Sequence, residues 1–126
     1  MAGPKGSKYY DVFLDYSIFL SREESKELVL THEQFQLLLL IEEFGSLTAA
    51  AKKMDISYRK AWELVRQSEL KLGFTLIDKS RGGRDGGHST LNPDGKLLVD
   101  AYRQLRDEFD ESVKRVVKKF FQTINK

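Results

Sequence analysis

The stretch GSLTAAAKKMDISYRKAWELVRQSELKLG, residues 45–73, decides the fold. Ser46 is placed to cap a short helix through Ala49, Ala50, Ala51 and Met54, since a seryl oxygen can accept from the otherwise unpaired N–H groups of a first turn. The small side chains on that helix let another helix approach its backbone closely. Asp55-Ile56 then forms a turn, and Ser57 caps a further helix to about Lys71, with Ala61, Val65, Ser68 and Leu72 on one stripe. Two helices joined by so few residues read as a helix-turn-helix, in which the second helix offers its first turns to a major groove while the first crosses the backbone.

Upstream, Thr31 with Gln34 three residues on has the pattern of a capping box, and Phe35, Leu38, Leu39 and Glu42 mark a helix over 32–44 that stops near Gly45. Before it, Tyr10, Val12, Leu14, Tyr16, Ile18 and Leu20 alternate with Asp11, Asp15 and Ser17, which predicts a half-buried strand. Residues 21–27 form a polar turn, and Leu28–Leu30 returns as the second strand of a hairpin. Residues 1–8 lack periodicity and are expected to form a flexible leader, with residues 9–126 expected to form one domain.

Downstream of Gly73, Leu76-Ile77 and His88-Ser89-Thr90-Leu91 flank KSRGGRDGG, which has four Gly and three basic residues. Short strands around such a tip make a wing. Asn92-Pro93 supplies an N-cap followed by Pro at the first helical position, where a missing N–H costs nothing. The helix that starts there runs over 93–123, and its apolar positions Leu98, Tyr102, Leu105, Phe109, Val113, Val116 and Phe120 are spaced 4, 3, 4, 4, 3 and 4. That is close to a heptad seam, sustained for ~40 Å. The domain before it is too small to cover this length, so a second copy is expected on the seam, giving a homodimer. The expected class is α+β, mainly α: a winged helix-turn-helix with an N-terminal strand or hairpin and a long C-terminal dimerisation helix.

Composition bounds the function. A chain of 126 residues with 40% hydrophobic and 32% charged residues has the balance of a globular domain. Its formal net charge of +2 hides a partition: residues 1–51 carry 4 basic and 8 acidic side chains, 52–88 carry 9 and 5, and 89–126 carry 8 and 6, or −4, +4 and +2. The basic excess therefore falls on the helix-turn-helix and the wing, where it can meet a polyanion. The absence of Cys excludes disulfides, Cys-ligated zinc and thiol nucleophiles, and two histidines, His32 and His88, make a His-based metal site improbable. No cofactor or metal is expected. The longest strictly apolar run, Leu37–Ile41, is too short to span a bilayer, and no basic-then-apolar signal segment is present, so the expected location is the cytoplasm with no membrane partner.

The candidate binding residues follow from the geometry of the motif. Ser57, Tyr58, Arg59 and Lys60 occupy the first turns of the second helix, with Arg66 further along. Arg59 has the planar fork suited to bidentate contact with a base or phosphate, and Lys60 acts as a point charge on phosphate. Lys52 and Lys53 fit phosphate contacts and plain surface charge equally well. Trp62 fits two roles, an anchor between this helix and the rest of the domain or a contact to sugar and base methyl groups. In the glycine-rich segment Ser80–Gly87 the GxxxxGK[ST] pattern is missing, so a wing whose Arg81 and Arg84 follow a groove or backbone explains it better than a phosphate loop.

An enzyme is not expected, and no catalytic residue is assigned. The acidic pairs Glu23-Glu24, Glu42-Glu43 and Glu108 with Glu111 fall on turns or helix surfaces, and Ser57 and Ser68 have no histidine at an activating spacing.

Residues 45–102 together resemble the N-terminal winged-helix domain of ModE-type molybdate-dependent regulators, itself related to the DNA-binding domain of LysR-type regulators. The elements that carry the likeness are ISYRKAWE at 56–63, KSRGGRDGG at 79–87 and LNPDGK at 91–96. The resemblance implies that the helix from Ser57 is a recognition helix, that Tyr58, Arg59 and Lys60 stand at DNA, that the wing with Arg81 and Arg84 meets the minor groove or flanking backbone, and that the long terminal helix builds a two-fold dimer. Such regulators continue into molybdate-binding domains, whereas this sequence stops after the dimer helix, so no molybdate or other oxyanion effector is expected on it. The resulting expectation is a sequence-specific regulator that binds double-stranded DNA as a homodimer. The competing one is a non-enzymatic interaction module that dimerises through its C-terminal helix without binding DNA.

Overall fold

Among the described residues, 6–79 and 89–125 of a computed structural model, the order is β1 (Leu20–Ser21), β2 (Leu28–Leu30), α1 (His32–Phe44), α2 (Leu47–Met54), α3 (Tyr58–Leu72), β3 (Ile77–Lys79), β4 (Ser89–Leu91) and α4 (Pro93–Ile124). Each pair of strands is an antiparallel ribbon. Three helices followed by a ribbon and a long helix make the winged helix-turn-helix that residues 31–123 predict.

The helix boundaries follow from local chemistry. Thr31 Oγ1 accepts from Gln34 N–H at 3.1 Å while Thr31 N–H donates to Gln34 Oε1 at 2.9 Å, closing the capping box. The same Gln34 donates through Nε2 to the carbonyl of Leu64 at 3.0 Å, so one buried amide both starts α1 and fastens it to α3. Gly45 and Gly73, at φ 70° and 88°, end α1 and α3 in the left-handed region that costs glycine least.

The chain divides into two compact units, residues 18–102 and a second made by residues 6–17 with 103–125. The first holds a continuous core in which Leu30, Leu37, Leu38, Ile41, Leu47, Val65, Leu76 and Val99 are almost fully buried. Tyr102 closes that core from α4, stacked on Phe35 with ring centroids 4.1 Å apart. Lys71 ties the first ribbon to the end of α3: its Nζ donates to the carbonyl of Leu28 at 2.9 Å and lies 3.6 Å from Glu27.

In the second unit Val117 and Phe121 are buried, and the Tyr16 hydroxyl donates to the Asp110 carboxylate. The sequence predicts a half-buried strand over residues 10–20 here, and the structure corrects this. Strand pairing begins only at Leu20, opposite Leu30, and Tyr10, Val12, Leu14 and Tyr16 are all exposed, as is Phe13 between them. Two causes are visible. Asp11 sits at φ 61°, which breaks an extended backbone, and β2 is three residues long and can pair with no more.

Candidate nucleic-acid interface

Seen from the residues upward, the helix-turn-helix is assembled by three buried alanines and one left-handed aspartate. Ala50, Ala51 and Ala61 are buried almost completely, so the helices meet with no larger side chain between them. Asp55, at φ 57°, ends α2, and its N–H is shared between the carbonyls of Ala51 and Lys52. Ile56 N–H returns to Ala51 O at 3.0 Å, and Ser57 Oγ accepts from Lys60 N–H at 3.0 Å. Together these bonds fix the turn and leave the first turns of α3 pointing into solvent.

Ser57, Tyr58, Arg59 and Lys60 are all exposed there, with Arg66 exposed two turns on. Lys52 and Lys53 are exposed in the last turn of α2. The candidate residues of the two helices thus fall on free surface around one turn. Trp62 is half-buried and packs against the core, and its ring meets the Tyr58 ring edge-on at 6.3 Å. The indole thus packs beside the exposed Tyr58 ring and keeps part of its surface in water.

A shallow groove of about 370 Å³ runs along the outer face of α3, lined by Arg59, Trp62, Glu63, Arg66, Gln67 and Leu70. Glu63, Gln67 and Leu70 are the lining residues that sequence reasoning missed. The signal was available, since Arg59, Glu63 and Arg66 are spaced 4 and 3 and must share a helix face.

A carboxylate holds the base of the ribbon behind α3. Glu69 Oε2 accepts from the N–H groups of Leu76 at 2.7 Å and Ile77 at 3.3 Å. Asn92 then fixes the start of α4: its N–H donates to Leu76 O at 2.9 Å, its Nδ2 donates to Thr75 O at 2.9 Å, and its Oδ1 accepts from Gly95 N–H at 2.8 Å. Gly95 lies so close to the ribbon that a Cβ built on it would stand 2.2 Å from Leu76 O. The wing tip with Arg81 and Arg84, the glycines around them and His88 lie outside the described residues.

Residues 32–96, just over half the chain, match the LysR family of bacterial regulatory helix-turn-helix proteins. The chain belongs to that family. Among its relatives, the molybdenum-pterin-binding protein MopB of Rhodobacter capsulatus is 30% identical over 93 residues, covering 74% of this chain and 33% of MopB. The molybdenum transport protein ModE of Azotobacter vinelandii is 32% identical over 87 residues, covering 69% of this chain and 32% of that protein. The ModE likeness read from residues 45–102 is therefore borne out, and the chain spans about a third of the length of the curated relatives it matches.

Solved LysR-type structures share the fold. The CbnR_DBD-DNA complex superposes with a TM-score of 0.57 at 22% identity, covering 69% of this chain and 94% of that one. Full-length LysG from Corynebacterium glutamicum superposes with a TM-score of 0.57 at 22% identity, covering 70% and 29%. Among the described residues, no group of three His, Cys, Asp or Glu side chains could hold a metal ion, and no helix is long and apolar enough to cross a membrane.

The dimer seam predicted on α4 divides in two. Tyr102 is buried in the core of its own chain, and Leu98 packs half-buried against the same core. Val113 is half-buried and lines a small apolar recess with Leu14, Val116 and Val117. Leu105, Phe109, Val116 and Phe120 are exposed. The first turns of α4 close the winged helix, which is why the regular spacing from 98 to 120 overstates the available surface.

Proposed function

We propose that this chain is the DNA-binding part of a transcription regulator, and that it binds duplex DNA as a homodimer with α3 in the major groove. One observation carries the reading: Tyr58, Arg59, Lys60 and Arg66 stand exposed on the second helix of a helix-turn-helix, with Lys52 and Lys53 exposed beside the turn. Phosphate contacts by the lysines supply sequence-independent affinity, and Arg59 and Arg66 supply contacts to base edges. The family match and the DNA complex among the fold's neighbours support the same assignment. Arg81 and Arg84 belong to the proposal as wing contacts to the minor groove or flanking backbone.

The homodimer is supported by the apolar side chains left in water on the second half of α4, Leu105, Phe109, Val116 and Phe120. Apolar surface repeated along a helix is stabilised when a second copy covers it. Two-fold pairing places two α3 helices on one duplex, so the preferred site is an inverted repeat.

Titrating salt against binding to genomic duplex fragments tests the reading. Binding should weaken steeply with salt, and Arg59→Ala should lower affinity for the selected site at least tenfold, the size of one good base or charged phosphate contact. No binding to any fragment at low salt would leave the interaction-module alternative in its place.

A further inference from the structure

Glu63 is out of place for a surface whose task is to meet a polyanion. It is exposed, lines the groove on α3 with Arg59, Arg66 and Gln67, and makes no ion pair or side-chain hydrogen bond among the described residues. Every other charged side chain from Ser57 to Gln67 is basic. At 100° per residue, Glu63 lies only about 40° round the helix from Arg59 and about 60° from Arg66. Any approach that brings both arginines to a duplex therefore brings this carboxylate too. Against phosphate it is repulsive at every sequence.

Base edges differ in how they meet a carboxylate. In the major groove, guanine shows two acceptors, thymine shows an acceptor, and adenine sets its N7 acceptor beside its amino group. Cytosine alone presents an amino donor and no acceptor. We infer that Glu63 is a specificity-determining residue that accepts a hydrogen bond from the N4 amino group of a cytosine in each half-site. The inference rests on the DNA-binding reading above and adds the identity of one base to it. Its chemistry is selective because the same charge disfavours the other three bases and weakens non-specific binding.

Selection of sites from a random duplex library with the full chain, followed by affinity measurements on single-base variants, tests this. The unaltered chain should select a C·G pair at one position per half-site, with about a tenfold preference over the other pairs. Glu63→Ala should abolish that preference and bind unrelated duplex more tightly. Glu63→Gln should move the preference toward A·T, because a glutamine amide matches the donor and acceptor of adenine. Helix content by circular dichroism should be the same for all three, since the side chain is exposed. A selected site unchanged by both substitutions, with affinity raised equally for every duplex, overturns the assignment and leaves DNA binding intact. A failure of the unaltered chain to bind DNA overturns both.

Discussion

On α4, Val99 and Tyr102 are buried, whereas Phe109, Val116 and Phe120 each keep about half their surface in water. The two groups belong to different units of the chain. Residues 18–102 complete a core from their own side chains, and their polar groups are used several times over: Gln34 makes the capping box and bonds to α3, Glu69 accepts from two backbone amides, and Asn92 bonds to Leu76, Thr75 and Gly95. In residues 6–17 with 103–125, Tyr10, Val12, Phe13, Leu14 and Tyr16 are exposed together with Phe109 and Phe120 of the helix. Residues 18–102 bury a continuous core although Phe19, Phe44, Leu70, Phe74 and Leu97 stay exposed, while among the described residues of the other unit only Val117 and Phe121 are buried apolar side chains. The contrast teaches that a single helix can serve as core in its first turns and leave apolar side chains in water in its later ones.

The contrast can be broken most strongly at Tyr102. Replacement by Ala removes the ring stacked on Phe35 and should destabilise the chain by about 3–5 kcal/mol, the usual cost of truncating a buried aromatic. Urea denaturation would show it as a lowered midpoint, and an unchanged midpoint would mean that α4 does not close the core. Gly95→Ala should cost about 1–3 kcal/mol, because the added methyl meets the backbone carbonyl of Leu76 and the ribbon has to move. Calorimetry on this variant would separate a packing role from a mere capping one. The double replacement Phe109→Ser with Phe120→Ser should have the smallest effect on folding of dilute protein, within about 0.5 kcal/mol per site for surface positions. If the proposed homodimer forms, its consequence should instead be a fall in molecular weight by sedimentation relative to the unaltered chain at the same concentration. A large loss of folding stability in dilute monomer would show that these rings belong to a finished core after all.

The helices and their caps were legible in the sequence because their determinants are local. Thr31 with Gln34, Ser46, Ser57 and the glycines at 45 and 73 act within one turn, and each lies where its spacing placed it. The N-terminal strand was misread for the complementary reason. Alternation from Tyr10 to Leu20 reports which way side chains point in an extended chain, but burial needs a partner strand, and β2 pairs with Leu20 and Ser21 alone. Tyr102 shows the same limit in a helix, since a regular seam does not say where the chain's own core ends. Glu63 escaped notice because acidic residues among basic ones ordinarily balance charge, and only the fold shows it without an ion pair among the described residues on the face shared by two arginines. The tight fit of Gly95 depends on a carbonyl 19 residues earlier in the chain, which no local pattern contains.

The carboxylate of Glu69 has a mechanical consequence. It grips the N–H groups of Leu76 and Ile77 from the last turns of α3, so β3 cannot swing without breaking two charge-assisted bonds. The helix and the base of the ribbon therefore turn as one rigid bracket. In the DNA-bound arrangement proposed above, seating α3 would bring the base of the ribbon to a set place along the duplex, so that groove width would be discriminated without a base being touched.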